Sequence, residues 1–205
     1  MSLPGAIERE VKLEVDDTYV VPDLGEGGAI RVDVLPALGL DATYFDAPDL
    51  RLLDLGITVR RRTGEGTKWT VKFPTAEQAA AGGLARREID IVSADLDPPS
   101  TVTDLVQSSL DAADLAPVAR LESRRERLGL RSRDGVALGE LYDDRVTAHS
   151  SAGAVVTFRE VEVEFGAEAD TALVELVVER LRVAGARPSV GQPKVERALT
   201  LLGLR

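Results

Sequence analysis

The sequence predicts an α+β fold in which antiparallel strands outnumber helices, within one domain over residues 1–205. Seven segments alternate polar and apolar residues at every second position, the spacing of a strand with one buried face. Short turns containing glycine separate several of these segments, and turns that short join antiparallel neighbours. Hydrophobic residues make up 44% of the chain and charged residues 29%, a composition typical of a domain that buries a core.

The first strand is predicted at 6–16. Glu8, Glu10 and Lys12 take even positions there, whereas most odd positions are apolar. This alternation predicts one charged and one apolar face. Eight or nine strands are expected in all. The further extended segments are predicted at 30–35, 42–46, 57–62, 68–73, 86–92, 118–128, 136–146 and 155–165.

Loops and helices divide these strands. Hairpin turns are predicted at 64–66, 134–135 and 150–153 from their glycine, serine and aspartate content. Helices are predicted between the strand groups from apolar spacing, from a Ser or Thr cap at residue 100 or 101, and from Pro193 before the last one. Their ranges are 49–55, 101–113, 167–184 and 194–202.

Composition excludes several classes of protein. The sequence has no apolar run of about 18 residues, and its first residues carry charge where a signal peptide needs an apolar segment, so we expect a cytoplasmic chain that spans no membrane. Cysteine is absent and His149 is the one histidine, which excludes disulfides, thiolate catalysis and metal sites built from several histidines. Any metal must therefore be held by oxygen.

Charge is unevenly distributed. The net charge of −10 argues against binding duplex nucleic acid or an anionic membrane. Basic residues nevertheless cluster at 60–62, 86–87 and 120–131, which indicates a confined anion site. Acidic and basic residues also lie on different strands. The strand predicted at 155–165 carries Glu160, Glu162 and Glu164 on one face. The hairpin at 58–72 offers bases at the matching parity, namely Arg60, Arg62, Lys68 and Lys72.

Such a distribution suits a polyanion bound together with a divalent cation. Guanidinium groups bind phosphate oxygens in pairs, and Mg²⁺ or Mn²⁺ takes carboxylate oxygens. Carboxylates at i and i+2 of a strand lie about 6.5–7 Å apart on one face, close enough to share an ion directly or through water. A metal can also activate water for attack on phosphorus, so no protein nucleophile is needed.

Blocks along nearly the whole chain resemble the CYTH domain, or triphosphate tunnel metalloenzyme, family. The resemblance implies an eight-stranded antiparallel barrel with a polar lumen. It is closest in wording to the CYTH module that precedes a CHAD domain in bacterial proteins, so a CHAD domain in a longer parent protein is a possible partner. The blocks begin at Glu8, Tyr44, Gly56, Trp69, Arg87, Pro117, Asp143 and Phe158, and end at Lys194.

The resemblance also implies roles for site residues. Glu8 and Glu10 would bind the metal, and Glu160 and Glu162 would hold a second metal or place the attacking water, with Lys12 part of the catalytic set. Ser123 departs from the Thr that is usual in the family, and Gln192-Pro193 precedes Lys194 where a Ser is more usual. The phosphate ligands implied are Lys12, Arg60, Arg62, Lys72, Arg125 and Lys194. The further lumen acids implied are Glu88, Asp144 and Glu164.

The leading expectation is hydrolysis of inorganic tripolyphosphate, or of a small organic triphosphate, with Mg²⁺ or Mn²⁺. One alternative is an adenylate cyclase of the same fold, which would need a surface for the base, and only 4% of the residues are aromatic. The other alternative is a module that binds polyphosphate without turnover. Release of orthophosphate, release of pyrophosphate from ATP, or binding alone distinguishes the three.

Overall fold

A computed structural model describes residues 5–76, 80–110, 115–189 and 192–205. Its strands are β1 (Ala6–Glu14), β2 (Arg31–Asp46), β3 (Thr58–Thr63), β4 (Lys68–Pro74), β5 (Leu84–Val92), β6 (Ala116–Arg131), β7 (Ala137–His149), β8 (Val155–Phe165) and β9 (Arg187–Pro188). Its helices are α1 (Arg51–Asp54), α2 (Ser100–Leu110), α3 (Thr171–Val183) and α4 (Lys194–Leu201), with single 3-10 turns at Glu26–Gly28 and Ala80–Gly82.

Eight of the strands close into a barrel, which confirms the predicted fold class. Their order is β5-β4-β3-β2-β6-β7-β8-β1, and β1 pairs back with β5. Every pairing is antiparallel. The two residues of β9 pair with Leu13 and Glu14 of β1, beyond the part of β1 that β5 covers. The three predicted hairpin turns join β3 to β4, β6 to β7 and β7 to β8.

The segments predicted at 30–35 and 42–46 are two parts of one 16-residue strand, β2. Leu35 lies opposite Arg127 of β6, and Leu38 lies opposite Arg125, so β2 carries one extra residue between these pairs. Pro36 lies in this interval, and proline has no N–H to donate to a neighbouring strand. Because a bulge reverses which parity faces the lumen, the alternation along β2 is lost in the sequence although the strand continues.

The helix predicted at 167–184 is shorter in the structure, and the one predicted at 101–113 can be compared only as far as residue 110. The helix predicted at 167–184 begins at Thr171, because the Asp170 side chain accepts a hydrogen bond from the Leu173 N–H at 2.8 Å and caps the first turn. The helix predicted at 101–113 is α2, whose last residue is Leu110, and residues 111–113 lie outside the described part of the chain. The short helices α1 and α4 lie within their predicted ranges.

Apolar side chains pack on both surfaces of the barrel wall. On the outside, α3 covers β1, β7 and β8, and α2 covers β3 and β4, where Trp69 is fully buried against Phe45 with ring centroids 4.8 Å apart. On the inside, Val195 and Leu199 of α4 pack against Leu121 and other lumen-facing residues of β6, β7 and β8. The helix α4 therefore fills one end of the lumen with apolar contacts.

Among the described residues, no helix combines the length and the apolar character needed to cross a bilayer.

Candidate metal and phosphate site

Three carboxylates from neighbouring strands meet inside the lumen and form the first carboxylate trio, Glu8, Glu10 and Glu164. One oxygen from each lies within 4.8 Å of the others. The register of the barrel explains the meeting, because Glu10 of β1 lies opposite Glu164 of β8 and Glu8 is two residues along the same face. Carboxylate oxygens at this spacing suit a hard divalent cation.

The first trio has fewer cations than carboxylates around it. Lys72 donates a hydrogen bond to Glu8, and Lys12 Nζ lies 3.4 Å from Glu10 Oε2. Glu164 accepts from the Tyr142 hydroxyl at 3.1 Å. Within the described residues, Glu10 Oε1 is buried and has no hydrogen-bond partner. An unsatisfied buried carboxylate oxygen is costly, so this oxygen marks a place where a cation fits.

The ionisation of the first trio shows the same shortage of positive charge. Burial and the neighbouring Glu8 raise the pKa of Glu164 to about 7. Burial opposes ionisation of Glu8 as well, but Lys72 outweighs it and lowers the pKa of Glu8. Near neutral pH the trio therefore holds a proton on Glu164 that a bound metal would displace.

The second carboxylate trio consists of Asp144, Glu160 and Glu162, all less than 5% exposed and also within 4.8 Å of one another. Arg125 binds Asp144 in bidentate fashion, with nitrogen–oxygen distances of 2.8 and 2.7 Å. Lys194 donates to Asp144 and lies 3.1 Å from Glu160 Oε1. Arg125 and Lys194 therefore already contact carboxylates of the second trio directly, without a metal.

A third cation completes the second trio. Lys12 Nζ donates to Glu162 Oε1 at 2.6 Å, and Arg125 Nη2 donates to Glu162 Oε2 at 3.1 Å. Burial raises the pKa of a carboxyl, yet Lys12, Lys194 and Arg125 outweigh it and hold the pKa of Glu162 well below its ordinary value. Burial would lower the pKa of Lys12, but its carboxylate neighbours raise it well above its ordinary value. The lysine therefore stays charged inside the barrel.

Cations converge on the cavity between the two trios. Arg60 and Arg62 are half-buried, and the Nε atom of each is buried and has no hydrogen-bond partner among the described residues. Burial, Arg60 and Arg125 lower the pKa of Arg62, which is the effect of crowding like charges in one place. These unsatisfied donors face a space that an anion would fill. The charged residues lining this cavity are Glu10, Lys12, Arg60, Arg62, Lys72, Arg86, Arg125, Glu162, Glu164 and Lys194.

The structure brings the sequence-predicted residues together on the lumen side. Lys72 also contacts Glu88 at 2.8 Å, and although burial opposes it, Lys72 and Arg60 lower the pKa of Glu88 to about 2. Asp144 and Glu164, implied only as further acids, each complete one of the trios. The charged residues of the predicted site reach the lumen from β1, β3, β4, β5, β6, β7, β8 and α4.

Two lining residues, Arg86 and Tyr44, were not assigned to the site by reasoning from the sequence. Arg86 is 5% exposed and donates to Gly56 O at 3.0 Å and Thr58 Oγ1 at 3.2 Å. Its parity with Glu88 was the available signal, because residues two apart share a face. Tyr44 is buried in the cavity wall beside Arg60, and burial, which raises its pKa, is outweighed by Arg60 and nearby lysines. The sequence around a tyrosine that faces the lumen does not differ from the sequence around a tyrosine that packs in a core.

The sequence model of the CYTH domain matches residues 6–188, which include every strand of the barrel and both trios. The chain belongs to the CYTH family. Its barrel has the triphosphate tunnel fold of that family. The uncharacterized proteins Rv2226 and MT2285 of Mycobacterium tuberculosis are each 35% identical to it over 211 residues. The match covers 94% of this chain and 40% of each relative, so this CYTH chain spans about two fifths of their length.

Solved structures share the CYTH fold at low sequence identity. A Bacillus halodurans protein described as a candidate adenylate cyclase aligns with a TM-score of 0.58 and 19% identity, covering 95% of this chain and 98% of that one. The Hippeastrum protein HpAC1, described with a dominant triphosphatase activity, aligns with a TM-score of 0.53 and 15% identity over 94% and 95%. At these identities the likeness concerns the fold.

Proposed function

We propose that this CYTH chain is a divalent-metal-dependent triphosphatase acting on inorganic tripolyphosphate or a small organic triphosphate. One observation carries the proposal: a single cavity is lined by Glu10, with its unsatisfied oxygen, by Glu164 of the same trio, and by seven buried or half-buried cations. A triphosphate bears about four negative charges, and it needs both a metal and fixed cations to be desolvated.

Each part of the cavity has a task in this proposal. Glu8, Glu10 and Glu164 would hold Mg²⁺ or Mn²⁺, whose chemistry is to polarise phosphoryl oxygens and to lower the pKa of a coordinated water. Arg60 and Arg62 bind phosphate oxygens through donors that have no protein partner. The cations Lys12, Lys72, Arg86, Arg125 and Lys194 offset the charge that develops on the phosphates.

The second trio positions cations. Asp144, Glu160 and Glu162 hold Lys12, Arg125 and Lys194 by direct ion pairs, which keeps three flexible side chains in fixed places. A role for Glu160 and Glu162 in binding a second metal stays a prediction, because such an ion would have to displace Lys194 or Lys12. Counting bound Mn²⁺ by calorimetry in the wild type and in Glu160→Gln/Glu162→Gln decides between one ion and two.

Adenylate cyclase activity remains the second candidate, since a structural neighbour carries that description. A cyclase needs a surface for the adenine base. The Tyr142 ring in the lumen is already covered by the Arg125 guanidinium, whose carbon lies 4.0 Å from the ring centroid, so this ring is not free to stack on a base. A polyphosphate-binding module without turnover is the third candidate, and a CHAD domain in a longer parent protein would accord with it.

The test is phosphate release from tripolyphosphate with Mg²⁺ or Mn²⁺, beside an EDTA control and an ATP reaction analysed for pyrophosphate. We expect orthophosphate from tripolyphosphate and none with EDTA. Pyrophosphate and cyclic AMP from ATP would favour the cyclase, and calorimetric binding without either product would favour the binding module.

Arginines of opposite parity provide a matched control. Arg60 faces the cavity, whereas Arg61 lies outside and donates to Asp95 O at 2.8 Å. We expect Arg60→Ala to weaken tripolyphosphate binding by about tenfold or more, the scale of one charge-assisted contact. Arg61→Ala should bind as the wild type does, and equal weakening by both variants would contradict the phosphate role of Arg60.

A further inference from the structure

A second group of charges lies along the lumen, away from the end that α4 fills. Leu121 of β6 contacts α4, and Arg127 lies six residues further along the same strand, about 20 Å away. Arg127 binds Glu140 of β7 at 2.8 Å. Its other nearby acid is Glu65, whose Oε1 lies 4.0 Å from Arg127 Nη1. This end of the lumen therefore carries paired rather than isolated charges.

Glu65 bridges two arginines from different strands. Its Oε2 lies 3.5 Å from Arg62 Nη2, and its Oε1 faces Arg127. Both distances are long for charge-assisted hydrogen bonds, which are about 2.7–2.9 Å. The Arg62 side chain is 12% exposed, and its Nε has no partner in the described part of the chain. The carboxylate of Glu65 thus occupies the place of an anion without satisfying the donors around it.

The loop that carries Glu65 allows it to leave. Gly64 and Gly66 flank it with φ angles of 112° and 80°, and the Glu65 side chain is 36% exposed. Glycine in this left-handed region avoids the steric cost that other residues would meet there. Partly exposed ion pairs with distances this long contribute little free energy. A phosphate group arriving at Arg62 and Arg127 therefore has a weakly held competitor.

We propose that Arg62 and Arg127 form an additional phosphate subsite at this end of the lumen, and that Glu65 masks it until a longer linear polyphosphate displaces the carboxylate. The inference rests on the proposed function, because the subsite extends the triphosphate cavity through Arg62. Its ligand is the phosphate beyond the third in an unbranched chain. Glu65 is then a specificity-determining residue that acts by competing for the same donors.

The test is calorimetric binding of inorganic pyrophosphate, tripolyphosphate and tetraphosphate in EDTA, where metal-dependent hydrolysis cannot proceed. Glu65→Gln removes the competing charge. Glu126→Gln is the matched control, because Glu126 lies on the outer face of β6, is exposed, and its substitution changes the net charge equally. We expect Glu65→Gln to bind tetraphosphate about two- to fivefold more tightly than Glu126→Gln does, the range of a half-exposed ion pair.

A second variant shows whether the gain comes from the subsite. In Arg127→Ala, tetraphosphate should bind no more tightly than tripolyphosphate, and adding Glu65→Gln to it should restore little. Equal affinities of Glu65→Gln and Glu126→Gln for tetraphosphate would overturn the inference, and so would an equal gain for pyrophosphate, which is the mark of a general charge effect. If the wild type binds none of the three anions either in EDTA or with Mg²⁺ present, the proposed function fails too; if only the variant comparison fails, the proposed function stands.

Discussion

The two carboxylate trios have the same number of acids and different surroundings. Glu8, Glu10 and Glu164 keep a shortage of positive charge, visible in the unsatisfied Glu10 oxygen and in the pKa of about 7 at Glu164. The second trio, Asp144, Glu160 and Glu162, pairs directly with Lys12, Arg125 and Lys194, and Glu160 Oε1 is its one buried oxygen without a hydrogen-bond partner among the described residues. Three carboxylates together therefore do not by themselves define a metal site, and the number of cations already paired with them separates the trio with more room for an ion from the trio with less.

The largest expected effect comes from removing an acid from the second trio. We expect Asp144→Asn to lower the free energy of unfolding by about 3–5 kcal/mol, because Arg125 would lose its bidentate partner and buried Arg125 and Lys194 would have only Glu160 and Glu162 left to pair with. Urea denaturation measures it. Asp41→Asn, which removes the partner of the exposed Arg120, is the control and should cost less than about 1 kcal/mol. Equal costs would mean that burial adds nothing to the ion pairs of the second trio.

Removing two acids from the first trio should lower activity rather than stability. Glu8→Gln/Glu10→Gln should lower metal-dependent release of phosphate by more than about 100-fold, beyond the loss usual for groups that only support metal ligands. Its fold should persist, since the second trio is untouched. Glu122→Gln/Glu126→Gln, an exposed pair on the outer face of β6 whose substitution changes the net charge equally, is the control. A double variant that kept wild-type turnover would place the metal elsewhere.

The pH dependence of metal binding sharpens the contrast. Because the pKa of Glu164 is raised to about 7, a metal that binds the first trio below that pH must displace a proton. We expect Mn²⁺ affinity to fall by up to about tenfold for each pH unit between pH 7 and pH 5, and to change little from this group above pH 8. Titration calorimetry in buffers of different ionisation enthalpy measures the released proton. Affinity that is flat from pH 5 to pH 8 would exclude Glu164 as a ligand.

The smallest expected effect concerns stability. A carboxyl whose pKa is raised in the folded state is harder to ionise there than in the unfolded chain, so ionised Glu164 destabilises the metal-free fold above pH 7. Glu164→Gln should therefore raise the free energy of unfolding at pH 8 by on the order of 1 kcal/mol, with Lys72 opposing part of the effect of burial. The gain should shrink as the pH falls below 7 and disappear below the ordinary pKa of 4.5, where the carboxyl is neutral in both the folded and the unfolded state, and a gain of the same size at every pH would attribute it to packing.

Local spacing in the sequence determined the strands and which residues share a face. The alternation of Glu8, Glu10 and Lys12, and of Glu160, Glu162 and Glu164, is a property of the extended backbone, in which every second side chain points the same way. The hairpin turns were equally local. The exception was β2, where the bulge beyond Leu35 exchanged the two parities and divided one strand into two predicted segments.

The tertiary structure decided which charges meet. Glu164 joins Glu8 and Glu10, and Asp144 joins Glu160 and Glu162, only because of the register between β1, β8 and β7 in the closed barrel. Closure likewise brings Arg86 into the lumen. Register and closure depend on hydrogen bonds between segments far apart in the chain, and no local pattern of residues encodes them. The sequence therefore determined the faces of the strands, whereas the fold determined how many cations lie beside each group of acids.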